Sequence, residues 1–405
     1  MTSSLRTPTG PYTLKSADVT HDPYPLYHTI RACAPVYFDP LLERWLVTGY
    51  REVEAVLRDL RFSSKGAARL SRPDQRGNHP ALTENLARNM IRNDPPEHTR
   101  MRNHVNRAFT PRLVERLRPQ IEELTNSLLN KVQASGRMEV RSDLAYPLPV
   151  AVITALLGAD LEMADQLRRW TDDLSNLLGA PEPTSELLDA ANRSVIERDA
   201  YILSVGAQRR SEPRNDLISA LVSNHDNGEK VSDADLCSIC GVLLSAGHET
   251  TSNLISNGLL ALLRHPEQLT LLRDRPELIE RAVEELLRYD SPVQWNGRLA
   301  VADVEIAGAQ IRSGDLVTIG HAAANRDPAQ FNNPDALDIT RYPNQHLAFG
   351  HGIHYCVGAA LARVEGAIAI STVLGRMPNL RLLNGDLRWK PGLLVRKLES
   401  LPVAF

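Results

Sequence analysis

Residues 349–358, FGHGIHYCVG, place a single cysteine, Cys356, among three glycines and two histidines near the end of a 405-residue chain. Residues 357–377 then show the apolar spacing of an alanine-rich helix. A helix N-terminus and the N–H groups of a glycine-rich loop both favour negative charge, which predicts a lowered pKa and a thiolate at Cys356. The three glycines permit positive φ and a close approach of the backbone to a flat ligand. On these residues alone, a buried structural cysteine, a nucleophile and a metal ligand all remain open.

The bulk composition narrows the class of protein. The chain is 42% hydrophobic and 23% charged with a formal net charge of −3, which favours neither nucleic acid nor a membrane surface as a partner. The N-terminal segment is polar and interrupted by prolines, unlike a signal peptide, and no apolar run predicts a membrane-spanning helix. Four cysteines are too few for a disulfide scaffold, so we expect a cytoplasmic protein. Cys237 and Cys240, without a second pair, are interpreted as packing residues.

Apolar residues recur at helical spacing through the middle of the chain. Residues 112–134 and 277–289 show this spacing, and the longest predicted helix runs from Ser232 to Arg264. Its centre, 245–253, reads SAGHETTSN and contains several poor helix formers. Residues of low helix propensity in the middle of a long helix often mark a functional site.

Strand-like segments lie towards the two ends of the chain. The alternating segments are 44–50, 303–311 and 315–323, and we expect residues 312–314 to form a hairpin turn between the last two. Helices therefore outnumber strands, and the predicted fold class is α+β, mainly α. Because no clear linker interrupts the chain, residues 1–405 are predicted to form a single domain.

The cysteine motif belongs to a longer pattern with six defined positions. The pattern F-G-x-G-x-H-x-C-x-G is matched at Phe349, Gly350, Gly352, His354, Cys356 and Gly358. It resembles the haem-binding signature of the cytochrome P450 monooxygenases. The resemblance implies the cytochrome P450 fold, with Cys356 as the axial thiolate ligand of the haem iron and with Phe349, Gly350 and His354 against the cofactor. Thiolate ligation directs electron density to the iron and favours O–O cleavage.

A second motif lies in the predicted central helix. Residues 246–251, AGHETT, resemble the segment of the same family that crosses the distal face of the haem. The resemblance implies that Ala246 leaves room for O₂ beside the cofactor and that Glu249 and Thr250 are catalytic, as the acid and alcohol that deliver protons. A threonine within a helix also tends to donate a hydrogen bond to the carbonyl four residues earlier, here that of Ala246.

Charged residues elsewhere match further features of the family. The resemblance assigns the haem propionates to four basic side chains, His98, Arg102, Arg298 and His354. It also places an E-x-x-R pair and one more arginine in a buried ionic cluster, Glu285, Arg288 and Arg341. We expect this cluster to support the fold and the haem pocket without taking part in the chemistry.

The substrate pocket implied by the resemblance is mostly apolar. Its expected members are Met90, Ile91, Val242, Leu243, Val293, Gln294, Trp295, Asn296, Leu393 and Leu394. Such a lining predicts a medium or large hydrophobic small molecule that is held by a few polar contacts. Trp295 and Asn296 add an aromatic ring and an amide, which indicate a functionalised scaffold.

The activity implied by the resemblance is insertion of one oxygen atom of O₂ into a C–H or C=C bond. We expect a polyketide, peptide or terpenoid of secondary metabolism as substrate, with a fatty-acid hydroxylase and a peroxide-driven peroxygenase as alternatives. A catalytically silent haem-binding or sensing protein is the alternative from another class. The expected cofactors are haem b and O₂, with electrons ultimately from NAD(P)H. A separate ferredoxin and ferredoxin reductase are the expected partners of a monomeric enzyme.

Overall fold

The computed structural model describes residues 12–15, 18–65, 79–180, 183–223, 225–226, 229–383 and 387–405. The helices within these ranges are α1 (Asp18–His21), α2 (Tyr24–Cys33), α3 (Tyr50–Arg58), α4 (Pro80–Arg88), α5 (Glu97–Ala108), α6 (Pro111–Gln133), α7 (Pro147–Leu157), α8 (Ala164–Gly179), α9 (Ser185–Ser211), α10 (Leu217–Ser223), α11 (Asp233–Arg264), α12 (Pro266–Asp274), α13 (Ile279–Tyr289), α14 (His321–Ala324) and α15 (Ala359–Arg376).

The strands are shorter than the principal helices. They are β1 (Val36–Asp39), β2 (Arg44–Val47), β3 (Phe62–Ser63), β4 (Arg137–Glu139), β5 (His225–Asp226), β6 (Glu229–Lys230), β7 (Trp295–Ala300), β8 (Val304–Ile306), β9 (Ala309–Ile311), β10 (Leu316–Gly320), β11 (Arg381–Leu382) and β12 (Pro402–Ala404). The predicted α+β fold with a mainly helical body is therefore confirmed.

The central helix α11 contains 32 residues, which corresponds to a length of about 48 Å. Ser232 caps it, because its Oγ accepts a hydrogen bond from the backbone N–H of Asp235 at 3.1 Å. The helix ends at Arg264, before a proline that begins α12. Most of its side chains are buried, and the predicted helix is confirmed. The helices predicted over 112–134 and 277–289 form as α6 and α13.

The hairpin predicted around residues 312–314 is wrong. The tight turn lies earlier, at Ala307 and Gly308, which have φ values of 48° and 80° and join β8 to β9. The next strand, β10, pairs instead with β7 on one side and with β2 on the other. Alternation marks both segments as strands, but it carries no information on which strand each one joins.

A five-stranded sheet in the order β1-β2-β10-β7-β3 lies beside the helical body. Successive side chains of β7 point to opposite faces of this sheet. Trp295 is buried on one face, where its indole N–H donates to the Tyr27 hydroxyl at 2.8 Å. Asn296 and Arg298 share the other face. This alternation decides which residues of β7 reach the functional site.

The ionic cluster predicted at Glu285, Arg288 and Arg341 is present in α13 and a later loop. Glu285 and Arg288 are fully buried and form two bonds, of 2.7 and 2.8 Å. Arg341 Nε lies 3.1 Å from the nearer Glu285 oxygen. Among the described residues, none of the helices combines the length and apolar character that a membrane span requires.

Candidate active site

A central cavity of about 300 Å³ lies between α11 and the loop at 349–358. The side of α11 that faces the cavity carries Ala246 and Thr250, and the loop contributes Cys356. His98 of helix α5 and Arg298 of strand β7 line two further sides of the cavity. Residues from widely separated parts of the chain therefore meet at one cavity, as the sequence motifs predicted.

The loop that carries Cys356 is shaped by two of its glycines. Gly350 and Gly352 have φ values of 70° and 68°, which is the left-handed region that favours glycine. A Cβ at Gly352 would also lie only 2.5 Å from the Leu57 carbonyl oxygen. Gly358 has an ordinary φ of −83°, so the positive φ that a glycine permits is used only at the other two positions. The turn lets the Cys356 side chain face the cavity while its backbone N–H donates to the Phe349 carbonyl at 2.9 Å.

The Cys356 thiol is enclosed by protein although it is exposed to the cavity itself. Burial raises the pKa of this thiol, and this effect exceeds the opposing effects of the Gly358 N–H and of the Arg102 and Arg363 charges. The expectation of a lowered pKa in the protein alone is therefore wrong. A coordinated metal cation deprotonates a thiol outright, so the site provides a neutral sulfur that a metal would convert to a thiolate.

The cavity edge that faces α5 and β7 carries four basic side chains. The rings of His98 and His354 lie 4.2 Å apart, and Arg102 and Arg298 line the same cavity. Burial lowers the pKa of Arg298 to about 10, and burial with the charges of Arg298 and His98 lowers that of His354 to about 3. Asp94 is the carboxylate that opposes both shifts. Lowered pKa values at several basic groups indicate a site that is built for an additional anion.

The acid and the alcohol of α11 face different surroundings. Thr250 Oγ1 donates to the Ala246 carbonyl at 2.9 Å, as predicted, and lines the cavity. Glu249 instead forms an ion pair with Lys397, from the C-terminal segment. Burial acts to raise the pKa of the Glu249 carboxyl, but the Lys397 hydrogen bond and charge outweigh it, and the pKa lies below its ordinary value. The carboxylate is therefore held away from the central cavity.

A second, polar cavity of about 570 Å³ lies next to this ion pair. Lys397 lines it together with Arg141, Tyr146 and Asp172. The Tyr146 hydroxyl bonds to Asp172 at 2.5 Å and lies 3.4 Å from the His248 ring nitrogen. The partner of Glu249 thus reaches a polar space that is distinct from the one Thr250 faces.

Six of the ten predicted substrate-pocket residues line the central cavity, and four do not. Those that line it are Met90, Ile91, Val242, Leu243, Val293 and Asn296. Gln294 and Trp295 lie elsewhere because both bond to the Tyr27 hydroxyl on the other side of β7. Leu393 packs against that same cluster, and Leu394 is half exposed and outside the lining. The expectation is therefore wrong for these four residues.

The model of the cytochrome P450 family matches residues 46–377 of the chain. The chain belongs to the cytochrome P450 family. It is 42% identical over 392 residues to the biotin biosynthesis cytochrome P450 of Bacillus subtilis, which covers 96% of this chain and 98% of that protein. It is 40% identical over 400 residues to 6-deoxyerythronolide B hydroxylase of Saccharopolyspora erythraea, again over 96% and 98% of the two chains.

A solved structure of another cytochrome P450 supports the same assignment. The crystal structure of P450BioI in complex with an acyl carrier protein that carries hexadec-9Z-enoic acid matches with a TM-score of 0.89 and 42% identity. The match covers 96% of this chain and 100% of that one. The protein is therefore a cytochrome P450 monooxygenase, and such enzymes use haem with a cysteine thiolate and O₂.

The residues of the central cavity fit a haem group. The cofactor brings an iron that needs a thiolate and two carboxylates that need cations, and the cavity offers Cys356 and the four basic side chains. His98 is buried, and its Nδ1 has no hydrogen-bond partner among the described residues. An unpartnered polar nitrogen beside a cationic cluster is explained by a ligand that completes the site.

Two further lining residues of this cytochrome P450 were missed by sequence reasoning. Glu365 of α15 is buried with no described partner for its Oε2, and burial raises its pKa to about 8. An acid within an apolar helical run was the available signal. His321 begins α14 and lines the cavity from the end of β10. No local pattern marks His321, because its position depends on pairing between distant strands.

Proposed function

We propose that this protein is a tailoring monooxygenase of secondary metabolism, in which the Cys356 sulfur would bind the haem iron. The observation that carries the proposal is that Cys356, Thr250 and the four basic side chains face one cavity. When bound, the haem supplies the reduction of O₂ and the transfer of one of its oxygen atoms to the substrate. His98, Arg102, Arg298 and His354 would hold the two propionates through charge-assisted hydrogen bonds.

The residues of α11 leave room beside the cofactor and provide groups that can transfer protons. Ala246 presents only a methyl group to the cavity, which leaves room beside the cofactor. The Thr250 hydroxyl is held by the Ala246 carbonyl, and in this position it can pass a proton to an acceptor in the cavity. Glu249 would return protons to Thr250 after exchanging its Lys397 partner, and the polar cavity beside Lys397 is the nearest source. The retained acid and alcohol favour a monooxygenase over a peroxide-driven peroxygenase and over a silent haem-binding protein.

The substrate class follows from the lining and the relatives. Met90, Val242 and Leu243 give the distal part an apolar surface that suits a medium or large hydrophobic molecule. One relative is named for 6-deoxyerythronolide B hydroxylation, which supports a polyketide. A fatty acyl chain is the second candidate, favoured by the hexadecenoyl acyl carrier protein bound to P450BioI.

The electrons would come from separate proteins. We propose that a ferredoxin and a ferredoxin reductase transfer electrons from NAD(P)H. We further propose that residues 1–405 act as a single cytochrome P450 domain and as a monomer. The family model spans most of the chain, which supports the single domain.

The proposal is tested by comparing two adjacent threonines. Thr250→Ala should lower the product formed per electron by roughly tenfold, with the remaining electrons appearing in hydrogen peroxide. The expected loss is smaller than that for complete removal of a general acid, because water can carry out part of the proton transfer. The matched control is Thr251→Ala, since Thr251 Oγ1 makes the same type of bond, to Gly247, at 3.0 Å. Product, peroxide and NADPH consumption are measured with a surrogate ferredoxin and reductase. The substrate is chosen from a spectral binding screen of macrolactones, steroids and fatty acids.

The outcomes separate the alternatives. Equal product per electron in Thr250→Ala and the parent would refute proton delivery by Thr250. Peroxide alone supporting the same turnover as the redox proteins would establish a peroxygenase. No turnover under any electron supply, despite an intact thiolate spectrum, would establish a haem-binding protein.

A further inference from the structure

A buried histidine positions one polar side chain of the central cavity. His321 is 1% exposed and lies where β10 ends and α14 begins. Its Nδ1 is 3.0 Å from the Leu347 carbonyl oxygen, and its Nε2 is 3.1 Å from Asn296 Nδ2. Asn296 belongs to the cavity face of β7 and is itself exposed to the cavity. The carbonyl, the imidazole and the amide therefore form one chain of hydrogen bonds that ends at the cavity.

The direction of each bond in this chain is determined. A carbonyl oxygen only accepts, so Nδ1 of His321 carries the proton that is donated to Leu347. Burial lowers the pKa of His321 to about 4, so the ring is neutral at physiological pH and Nε2 is an acceptor. Asn296 must then present its NH₂ group to His321. The amide cannot turn over without breaking this bond.

The fixed amide leaves its oxygen in the cavity. No described residue donates a hydrogen bond to Asn296 Oδ1, and the side chain is exposed to the cavity rather than buried. Neighbouring lining residues on the chain, Pro292 and Val293, are apolar. Ligand pockets of this kind gain specificity from a small number of placed polar groups. A hydrogen-bond acceptor placed beside these apolar residues is matched by a ligand that carries a donor.

We propose that Asn296 selects substrates with a hydroxyl group, whose hydrogen bond its Oδ1 accepts. The inference rests on the proposed function, because it takes the central cavity as the substrate site. It adds that the substrate is a neutral, mainly apolar molecule with a hydroxyl group on the side that faces β7. His321 is the positioning residue, because its ring is held by the Leu347 carbonyl and determines which way the Asn296 amide faces.

Asn296 also lies two residues from Arg298, so its remaining N–H could instead hold a haem propionate. The two roles use different atoms of the same amide, and two substitutions separate them. Asn296→Leu removes both the hydrogen-bond acceptor and the donor and keeps a side chain of similar size. Asn296→Asp keeps an acceptor and removes the N–H. A propionate contact would be lost in both variants, whereas a hydroxyl-accepting group would be lost only in the leucine variant.

The experiment uses probes that need no turnover. Two series of 1-alkylimidazoles bind the haem iron of the loaded enzyme, one ending in a hydroxyl and one in a methyl group, with the alkyl length varied in each. Affinities are measured by spectral titration. In the parent and in Asn296→Asp, the hydroxyl probe of the matching length should bind relatively tighter than its methyl counterpart by about fivefold, the contribution of one hydrogen bond. In Asn296→Leu the advantage should disappear.

Val293→Ala is the matched control, because it changes the apolar lining without changing the acceptor. It should weaken both series and leave their ratio as in the parent. The proposal is overturned if the ratio is the same in the parent and in Asn296→Leu at every chain length, or if both Asn296 variants lose haem. Because the probes report only iron binding and contacts in the cavity, failure of monooxygenase turnover would leave this result interpretable.

Discussion

Glu285 and Arg298 are both buried charges, and their partners distinguish structure from function. Glu285 accepts hydrogen bonds from Arg288, from Arg341 and from the backbone N–H of Asp338. Within the described part of the chain, the Arg298 guanidinium donates one hydrogen bond, to the carbonyl of the preceding Gly297. A charge that the protein satisfies itself stabilises the fold, whereas one that it leaves nearly alone in a cavity is available to a ligand.

Replacement of Glu285 should therefore act on stability. Glu285→Ala leaves the buried Arg288 uncompensated, and we expect a loss of about 3–5 kcal/mol in the free energy of unfolding. Thermal and urea unfolding of the haem-loaded protein would measure it. The control is Glu277→Ala, which removes the exposed ion pair with Arg275 and should leave the unfolding temperature unchanged. Similar unfolding temperatures for the two variants would contradict a structural role for the cluster.

At the scale of elements, helices were predictable from the sequence and strand partners were not. The 3.6-residue apolar period and the Ser232 cap are local signals, so α6, α11 and α13 could be read from their own residues. The pairing of β10 with β7 joins segments that both alternate, and only the packed sheet decides it. The same limit explains the wrong placement of Trp295, since its face of β7 depends on the sheet.

The functional site shows the same contrast between residues that local motifs predict and partners that only the folded chain brings in. Cys356 and Thr250 lie within fixed spacings, so the motifs predicted that they face one cavity. The partners of site residues come from remote segments, such as Lys397 for Glu249 and His321 for Asn296. A lowered pKa was predicted for Cys356 from the loop and the helix, but burial has the larger effect and depends on the whole fold.

The ion pair between Glu249 and Lys397 connects α11 to the C-terminal segment. Lys397→Gln should destabilise the protein by about 1–2 kcal/mol at neutral pH, between the values for exposed and buried pairs. The folded-state pKa of Glu249 lies below its ordinary value, so the pair stabilises above the unfolded pKa and is lost as pH falls through the folded pKa. The difference between parent and variant should therefore shrink in acid.

Thermal unfolding across the acid-to-neutral range would follow this difference. Lys390→Gln is the control, because Lys390 lines the same polar cavity but has no recorded bond to Glu249. A difference between Lys397→Gln and the parent that stays constant with pH would show that the ammonium acts through packing instead of through Glu249.

At the scale of the whole molecule, the basic groups of the cavity come from three separate parts of the chain. His98 and Arg102 lie on α5, Arg298 on β7 and His354 on the loop before α15. Folding buries these groups together, so burial lowers the pKa of all four, and repulsion from neighbouring basic groups lowers those of His98 and His354 further. The haem carboxylates would reverse the sign of this interaction, so folding and cofactor binding are coupled through the same residues.

Arg298→Gln should for this reason have opposite effects with and without haem. In the haem-free protein it removes a charge whose burial is unfavourable by more than the attraction of Asp94 offsets, so the unfolding temperature should rise. In the haem-loaded protein it removes a charged hydrogen bond, and haem should transfer to apomyoglobin roughly tenfold faster. Arg312→Gln, at the exposed pair with Asp303, should change neither quantity. A fall in stability in both forms would mean that the guanidinium holds the fold itself, and the coupling between cavity charge and cofactor would then be absent.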